Sequence, residues 1–164
     1  MCQCCNVTNS NGYIINVKRV ESASGRHVQY SVFVYKAVGA TDIYRSMFSE
    51  ICASYDNFDH IYTDGSKMGD RGASAAICSN MVRSTRLPNN ASTFRAEPYA
   101  ITLAMYFVRR SRNSNFVIFS DSMSSIEALN GVKFELDLVQ KIIKDYTHLT
   151  NNGKTIIFCW IPVM

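Results

Sequence analysis

No run of about 20 apolar residues, the length that a membrane-spanning helix needs, occurs anywhere in this sequence. The segment from Met1 to Val20 is polar and interrupted by Asn and Gly, so it does not resemble a secretory signal peptide. We therefore expect an intracellular protein without a membrane segment, whose six cysteines stay reduced.

The cysteines also lack the spacing of a structural zinc site. Cys2, Cys4 and Cys5 cluster near the start, but no second ligand pair follows at a suitable distance along the chain. We interpret this segment as a frayed terminus. Cys78 and Cys159 lie in strand-like apolar runs, which predicts that they are small core residues.

Charged residues are scarce at 18%, whereas 47% of the 164 residues are hydrophobic. This composition excludes a disordered chain and predicts a packed core of one domain with a short extension. The net charge of +4 suits a polyanionic partner, and ordinary surface charge explains it equally well.

Residues 1–58 form an N-terminal extension whose role the sequence does not reveal. The segments 13–20 and 27–38 are rich in β-branched and aromatic residues and predict a β-hairpin. Apolar residues at helical spacing predict a helix over 41–55. No motif in the extension carries recognisable chemistry.

Residues 59–164 alternate strand and helix patterns. Strands are predicted at 60–64, 73–79, 81–87, 116–120 and 155–161, with a turn-rich connection at 65–72. Helices are predicted from about Ser92 onward, at 122–130 and at 135–150. The order predicts an α/β fold, in which an antiparallel meander is followed by parallel strands joined by crossover helices.

Three acidic residues occupy positions that are unusual for structural acids. Asp64 and Asp121 each end an apolar strand, and Glu97 lies along the apolar stripe near the start of its helix. Capping and turn formation explain each acid taken alone. Together they predict a cluster at the carboxyl edge of the sheet, where ligands of such sheets bind.

Clustered carboxylates need a cation. Two of them about 4 Å apart repel by roughly 4 kcal/mol at an effective dielectric constant of 20. Oxygen ligands favour magnesium or manganese over zinc. The residues therefore indicate a metal-dependent nuclease or phosphotransferase.

Four segments together resemble type 1 ribonuclease H, in the form that non-LTR retrotransposons carry. They are Ile61 to Lys67 (IYTDGSK), Ser92 to Glu97 (STFRAE), Phe119 to Ser122 (FSDS) and Phe158 to Pro162 (FCWIP). The four segments occur in the family's order and spacing and span about residues 59–162. The resemblance implies a five-stranded RNase H-like sheet flanked by helices, and an upstream reverse transcriptase region in the parent element.

The resemblance also implies an activity, the hydrolysis of the RNA strand of an RNA–DNA hybrid with two Mg²⁺ ions, or Mn²⁺ in their place. Asp64 would bridge the ions, Glu97 would bind one ion near the RNA 2′-hydroxyl, and Asp121 would hold the ion that activates water. Ser66, Asn89 and Ser122 would contact the substrate backbone, although small polar residues at such positions also cap helices.

The sequence departs from the family pattern in two places. Pro98 follows the glutamate near the end of the predicted first turn, and we expect it to strain or tighten the start of the helix rather than abolish the helix. After residues 163–164 the family continues with a histidine loop, a fourth aspartate and a helix. We therefore expect either a marginally stable domain or one in which residues 1–58 or another chain cover the strand at 155–161.

Two alternative functions remain from the sequence. The first is a catalytically weak retroelement remnant that only binds nucleic acid. The second is an integrase or transposase, whose acids follow the order Asp, Asp, Glu rather than Asp64, Glu97, Asp121. Separately, arginines 109, 110 and 112 either contact phosphates or stabilise the end of their helix.

Overall fold

The structure is a computed structural model that describes residues 3–8, 14–21, 27–33, 41–89, 93–130 and 137–161. The helices are α1 (Thr41–Ser54), α2 (Thr93–Arg110), α3 (Met123–Asn130) and α4 (Asp137–Asn151). The strands are β1 (Gln3–Thr8), β2 (Ile14–Glu21), β3 (His27–Phe33), β4 (Asp59–Met68), β5 (Arg71–Cys78), β6 (Met81–Arg86), β7 (Asn115–Ser120) and β8 (Thr155–Trp160). None of the helices within these ranges has both the length and the hydropathy needed to cross a bilayer.

One sheet contains all the described strands, in the order β1-β2-β3-β8-β7-β4-β5-β6. Strands β4, β5 and β6 form an antiparallel meander, and β7 pairs in parallel with both β4 and β8. The predicted α/β fold with a five-stranded mixed sheet is confirmed for β4 to β8. Strands β1 to β3 extend this sheet at the edge of β8.

Helices cover both faces of the parallel strands, which explains why those strands are uninterrupted apolar runs. Phe116 and Ile118 of β7 point to one face, and Val117 and Phe119 point to the other. All four side chains are fully buried. The prediction of a strand at 116–120 that is buried on both faces is therefore confirmed.

The larger core lies between the sheet and helices α2, α3 and α4. Four residues of the predicted apolar stripe of α2 are buried there: Leu103, Ala104, Phe107 and Val108. The fifth, Ala100, is also fully buried. Four residues of α4 spaced three or four apart are also buried: Val139, Ile142, Tyr146 and Leu149. Both stripes follow the helical period, so packing on the sheet fixes the orientation of each helix.

Helix α1 packs on the opposite face of the sheet. Ile51 is buried there against a cluster that includes Ile157 and Cys159 of β8. The ring of Phe48 lies 5.5 Å from that of Phe119 and 6.2 Å from that of Tyr62. Residues from the N-terminal 58 thus provide the cover that the sequence predicted for the last strand.

The N-terminal segment joins the sheet instead of fraying. The predicted hairpin is confirmed, since β2 and β3 pair antiparallel; residues 34–38 of the prediction lie outside the described ranges. Strand β3 then pairs in parallel with β8. The prediction of a frayed terminus is wrong, because Cys4 and Cys5 lie in β1 and pair with Lys18 and Val17.

Two local predictions need correction. The turn-rich connection at 65–72 is shorter than expected, because β4 continues to Met68 and β5 begins at Arg71. Pro98 is the sixth residue of α2, beyond the first four residues whose N–H groups need no helical partner. The helix nevertheless continues through Pro98 to Arg110.

Candidate carboxylate site

Strand register brings Asp64 and Asp121 to neighbouring positions. Strands β4 and β7 are parallel, with Thr63 paired with Ser120, and each aspartate is the next residue of its chain. Adjacent strands lie about 4.8 Å apart, so the two aspartates leave the pairing side by side. Thr63 also donates a hydrogen bond from Oγ1 to the carbonyl oxygen of Phe119 at 2.9 Å, which locks this register.

Glu97 reaches the same edge because α2 approaches β4 unusually closely at Gly65. A Cβ atom on Gly65 would lie 2.6 Å from the carbonyl carbon of Ala96 and 2.6 Å from the nitrogen of Glu97. The backbone N–H of Gly65 donates to the Glu97 carboxylate. A residue without a side chain is therefore required directly after Asp64, where helix and strand backbones meet.

Ser74 fixes the start of α2 from the neighbouring strand. Its Oγ donates to the carbonyl oxygen of Ala96 at 2.7 Å, and the serine is only 1% exposed. Ser74 pairs with Gly65 across the β4–β5 ladder. Ala96, the residue before Glu97, is thus hydrogen-bonded to β5 and is also approached closely by Gly65 of β4.

Trp160 holds the backbone at Asp121. Its indole Nε1–H donates to the carbonyl oxygen of Asp121 at 2.9 Å. The N–H of Ile161 donates to Ser120 at 2.9 Å, one residue earlier. The end of β8 therefore positions the residue that follows β7.

The three carboxylates interact electrostatically. Burial and, to a smaller extent, the negative charges of Asp121 and Asp64 raise the pKa of Glu97 to about 7, against the opposing hydrogen bond from Gly65. Burial also raises the pKa of Asp121, its own backbone N–H lowers it, and the charge of Asp64 raises it. The negative charge of Asp64 therefore makes both Glu97 and Asp121 harder to ionise.

Two carboxylate oxygens of this cluster are buried without a hydrogen-bond donor from the residues that the structure describes. They are Oε2 of Glu97 and Oδ1 of Asp121. Leaving such an acceptor unpaired costs roughly 1–3 kcal/mol, and more when it is charged. Asp64, in contrast, is exposed to solvent. The cluster thus combines an open side with two acceptors that would gain from a cation.

The donor set suits a hard divalent cation, because it consists of carboxylate oxygens. The two unpaired oxygen atoms provide acceptors that such an ion would satisfy. Among the described residues, however, no three His, Cys, Asp or Glu side chains converge tightly enough to form a ready-made metal site. The three carboxylates lie near one another, but they do not form a closed set of metal ligands.

The predicted substrate-binding residues lie in three different settings. Ser66 is exposed on β4, two residues after Asp64. Asn89 is exposed before α2, and its side-chain oxygen accepts a hydrogen bond from Arg86 at 3.2 Å. Ser122 caps α3, because its Oγ accepts from the N–H of Ser125 at 3.3 Å. Ser122 therefore caps a helix, which is the structural role that the sequence analysis gave as the alternative to substrate binding.

Sequence reasoning missed the residues that position the acids. Trp160 had a recognisable signal, because a buried indole N–H normally finds an acceptor. Ser74 had none, since its partner depends on how α2 crosses β5. Gly65 was interpreted as part of a turn, whereas it allows a close helix–strand approach. No protein-family model and no curated protein matches this chain.

Proposed function

We propose that this chain is a metal-dependent ribonuclease that hydrolyses the RNA strand of RNA–DNA hybrids. The observation that carries the proposal is the electrostatic coupling of Asp64, Glu97 and Asp121 at one sheet edge. Within the described ranges, no donor reaches one buried oxygen of Glu97 and one of Asp121. These are the acids that the ribonuclease H resemblance names. The strand order β6-β5-β4-β7-β8 is compatible with the RNase H-like arrangement that we propose.

Asp64 and Asp121 would hold Mg²⁺ or Mn²⁺ together with Glu97. Two such ions, when bound, stabilise the attacking and leaving oxygen atoms of phosphodiester cleavage. Because like-charged carboxylates repel, the side chains are expected to separate until a cation offsets their charge. This accounts for neighbouring acids that do not already form a closed cage.

The chain's own residues have distinct tasks. Water adds to phosphorus and the bond to the 3′ oxygen breaks, which leaves a 5′-phosphate and a 3′-hydroxyl. Without a bound cation, Glu97 has a pKa of about 7, so a metal ion that binds this carboxylate near neutral pH would displace a proton from it. Gly65 and Ser74 hold Glu97 at the edge, and Trp160 holds Asp121. The 2′-hydroxyl is the group by which a protein distinguishes RNA from DNA.

The test is a cleavage assay on four substrates of one sequence: an RNA–DNA hybrid, single-stranded RNA, double-stranded RNA and double-stranded DNA. We expect cleavage of the hybrid alone, with Mg²⁺ or Mn²⁺ and not with a chelator. Asp64→Asn should abolish it because one negative charge is lost at nearly constant shape. Asp70→Asn, in the exposed β4–β5 turn, is the matched control. Cleavage by the Asp64→Asn variant would contradict the proposal.

One observation favours a second function, that of a non-hydrolytic nucleic-acid-binding protein. The described acids do not form a ready-made metal site. If this second function is correct, the protein binds the hybrid, and neither Mg²⁺ nor Mn²⁺ produces cleavage. The same assay, with bound and cleaved substrate both measured, separates the two functions.

A further inference from the structure

A groove lined by basic and aromatic residues lies away from the carboxylate site. It is a cavity of about 160 Å³ between α2, α4 and β6. Its lining includes Arg83 from β6, Lys141 from α4, and Tyr106 and Arg109 from α2. Asp145 is the one acid among the described residues that line it. We name this feature the α2–α4 groove.

The positive charges of the α2–α4 groove are only partly compensated. Arg109 donates to Asp145 at 2.6 Å, which neutralises one pair of charges. Arg83 and Lys141 have no ion-pair partner within the described part of the chain, and both are exposed. The groove therefore keeps a net positive charge at its two sides.

Two arginine side chains lie close to the ring of Tyr106. The guanidinium carbon of Arg83 lies 3.7 Å from the ring centroid, and that of Arg110 lies 5.5 Å from it. Both distances fall within cation–π range. Because the two guanidinium groups repel each other, an anion between them would be attracted by both.

The groove continues toward the start of α2. Tyr99 lines both the α2–α4 groove and a neighbouring cavity of about 330 Å³ that includes Asn89 and Arg95. Along α2, Tyr106 lies nine residues from Glu97, which is about 14 Å at the helical rise. Nine residues also rotate an α-helix by about two and a half turns, so the two side chains project from opposite sides of α2. The α2–α4 groove is therefore a surface separate from the carboxylate site.

We propose that the α2–α4 groove binds the phosphodiester backbone of a nucleic-acid strand, independently of its sequence. Cationic side chains from two walls contact phosphate oxygens, and the partly buried tyrosine rings support the guanidinium groups. The choice of nucleic acid over another polyanion rests on the proposed function. The groove's binding needs no divalent ion and no cleavage, so it can be measured separately.

The test measures binding of a fluorescein-labelled single-stranded RNA in EDTA at several salt concentrations. The double variant R83Q/K141Q removes one charge from each wall. We expect its affinity to fall about tenfold, and its slope of log affinity against log salt to become shallower by about 1.4, since each phosphate contact on a single strand contributes roughly 0.7. The double variant R45Q/R71Q removes equal charge from exposed positions on α1 and β5 and is the matched control.

Two results would overturn the proposal. The first is an equal change of slope in the test and control variants, because the effect would then be net charge alone. The second is competition by polyglutamate that is as strong, per charge, as competition by unlabelled RNA. Circular dichroism verifies that each variant is folded. If R83Q/K141Q is not folded, Lys141→Glu takes its place and must itself weaken RNA binding.

Failure of the groove is distinguishable from failure of the proposed ribonuclease. Loss of RNA affinity in R83Q/K141Q, with no hybrid cleavage by the unaltered protein in Mg²⁺, supports the groove and contradicts the ribonuclease. Hybrid cleavage by the unaltered protein, together with an unchanged salt slope in R83Q/K141Q, supports the ribonuclease and contradicts the groove.

Discussion

Polar side chains at the two ends of the sheet differ in whether they have hydrogen-bond partners. At the amino end, Asp59 accepts a hydrogen bond from Asn113 at 2.8 Å. Lys154 donates there to the carbonyl oxygens of Ser111 at 3.0 Å and Asn113 at 2.7 Å. At the carboxyl end, Glu97 and Asp121 each have a buried oxygen to which no donor in the described part of the chain binds.

This difference separates structural polar groups from candidate functional ones. A structural polar group near the core has partners, because an unpaired one costs free energy. The carboxyl end instead concentrates negative charge and raises the pKa of Glu97 and Asp121. Perturbed, unpaired acids of this kind are typical of functional sites.

We expect the largest difference in activity when an aspartate at each end of the sheet is replaced by asparagine. Asp121→Asn should lower hybrid cleavage about a thousandfold, the order of loss expected when a main electrostatic contributor is removed. Asp59→Asn, at the amino end of β4, should leave the cleavage rate unchanged. Single-turnover rates in Mg²⁺ measure both. Equal losses would mean that the ends do not differ in function.

A methyl group at Gly65 should destabilise the site end strongly. In Gly65→Ala the new carbon would meet the α2 backbone at 2.6 Å. We expect a loss of about 3 kcal/mol of unfolding free energy, at the upper range for overpacking. Gly72→Ala is the control on the paired strand, because its Cβ would meet Leu87 at an ordinary 3.5 Å. Urea denaturation compares the two variants, and similar losses would exclude the close approach.

Glu97→Gln should stabilise the protein at high pH and not at low pH. Because the folded protein raises the pKa of Glu97 from 4.5 to about 7, it binds the proton more tightly than the unfolded chain does. Stability from this group is therefore present below pH 4.5 and is lost as the pH rises through 7.

The expected gain of Glu97→Gln at pH 8 in EDTA is about 1–2 kcal/mol after discounting for solvent screening. It should disappear near pH 4. Thermal or urea unfolding across pH measures it. A constant gain at both pH values would show that Glu97 ionisation is not the cause.

Trp160→Phe should have the smallest effect on stability, about 1 kcal/mol for one hydrogen bond. It should also weaken Mg²⁺ affinity about tenfold, because the residue that supports Asp121 is lost. Lys154→Met removes two hydrogen bonds at the amino end and is the comparison variant. If both variants have the same Mg²⁺ affinity, Trp160 is merely structural.

Much of the fold followed from sequence periodicity. The apolar run at 116–120 and the stripe of α2 are short-range patterns, and packing preserves them. Strand β1 was missed because its polar, cysteine-containing sequence has no strand pattern of its own. Its strand conformation depends on pairing with β2. The length of β4 was underestimated because Gly65 resembles a turn residue in sequence.

The three candidate acids were named from the sequence, but the residues that position them were not. Asp64, Glu97 and Asp121 were recognisable because acids rarely occur along buried elements. The contacts of Ser74 and Trp160 depend on long-range geometry, since their partners lie 22 and 39 residues away. Whether the acids close around a cation depends on the ion itself, which sequence spacing does not determine.

The most direct test of the central claim is an anomalous diffraction measurement on crystals soaked in Mn²⁺. We predict at least one Mn²⁺ peak in contact with the carboxylates of Asp64 and Asp121 in the unaltered protein. The Asp64→Asn crystal should lose that peak. A well-ordered carboxyl edge without Mn²⁺ at saturating concentration would contradict the account, and so would a peak that survives in the Asp64→Asn variant.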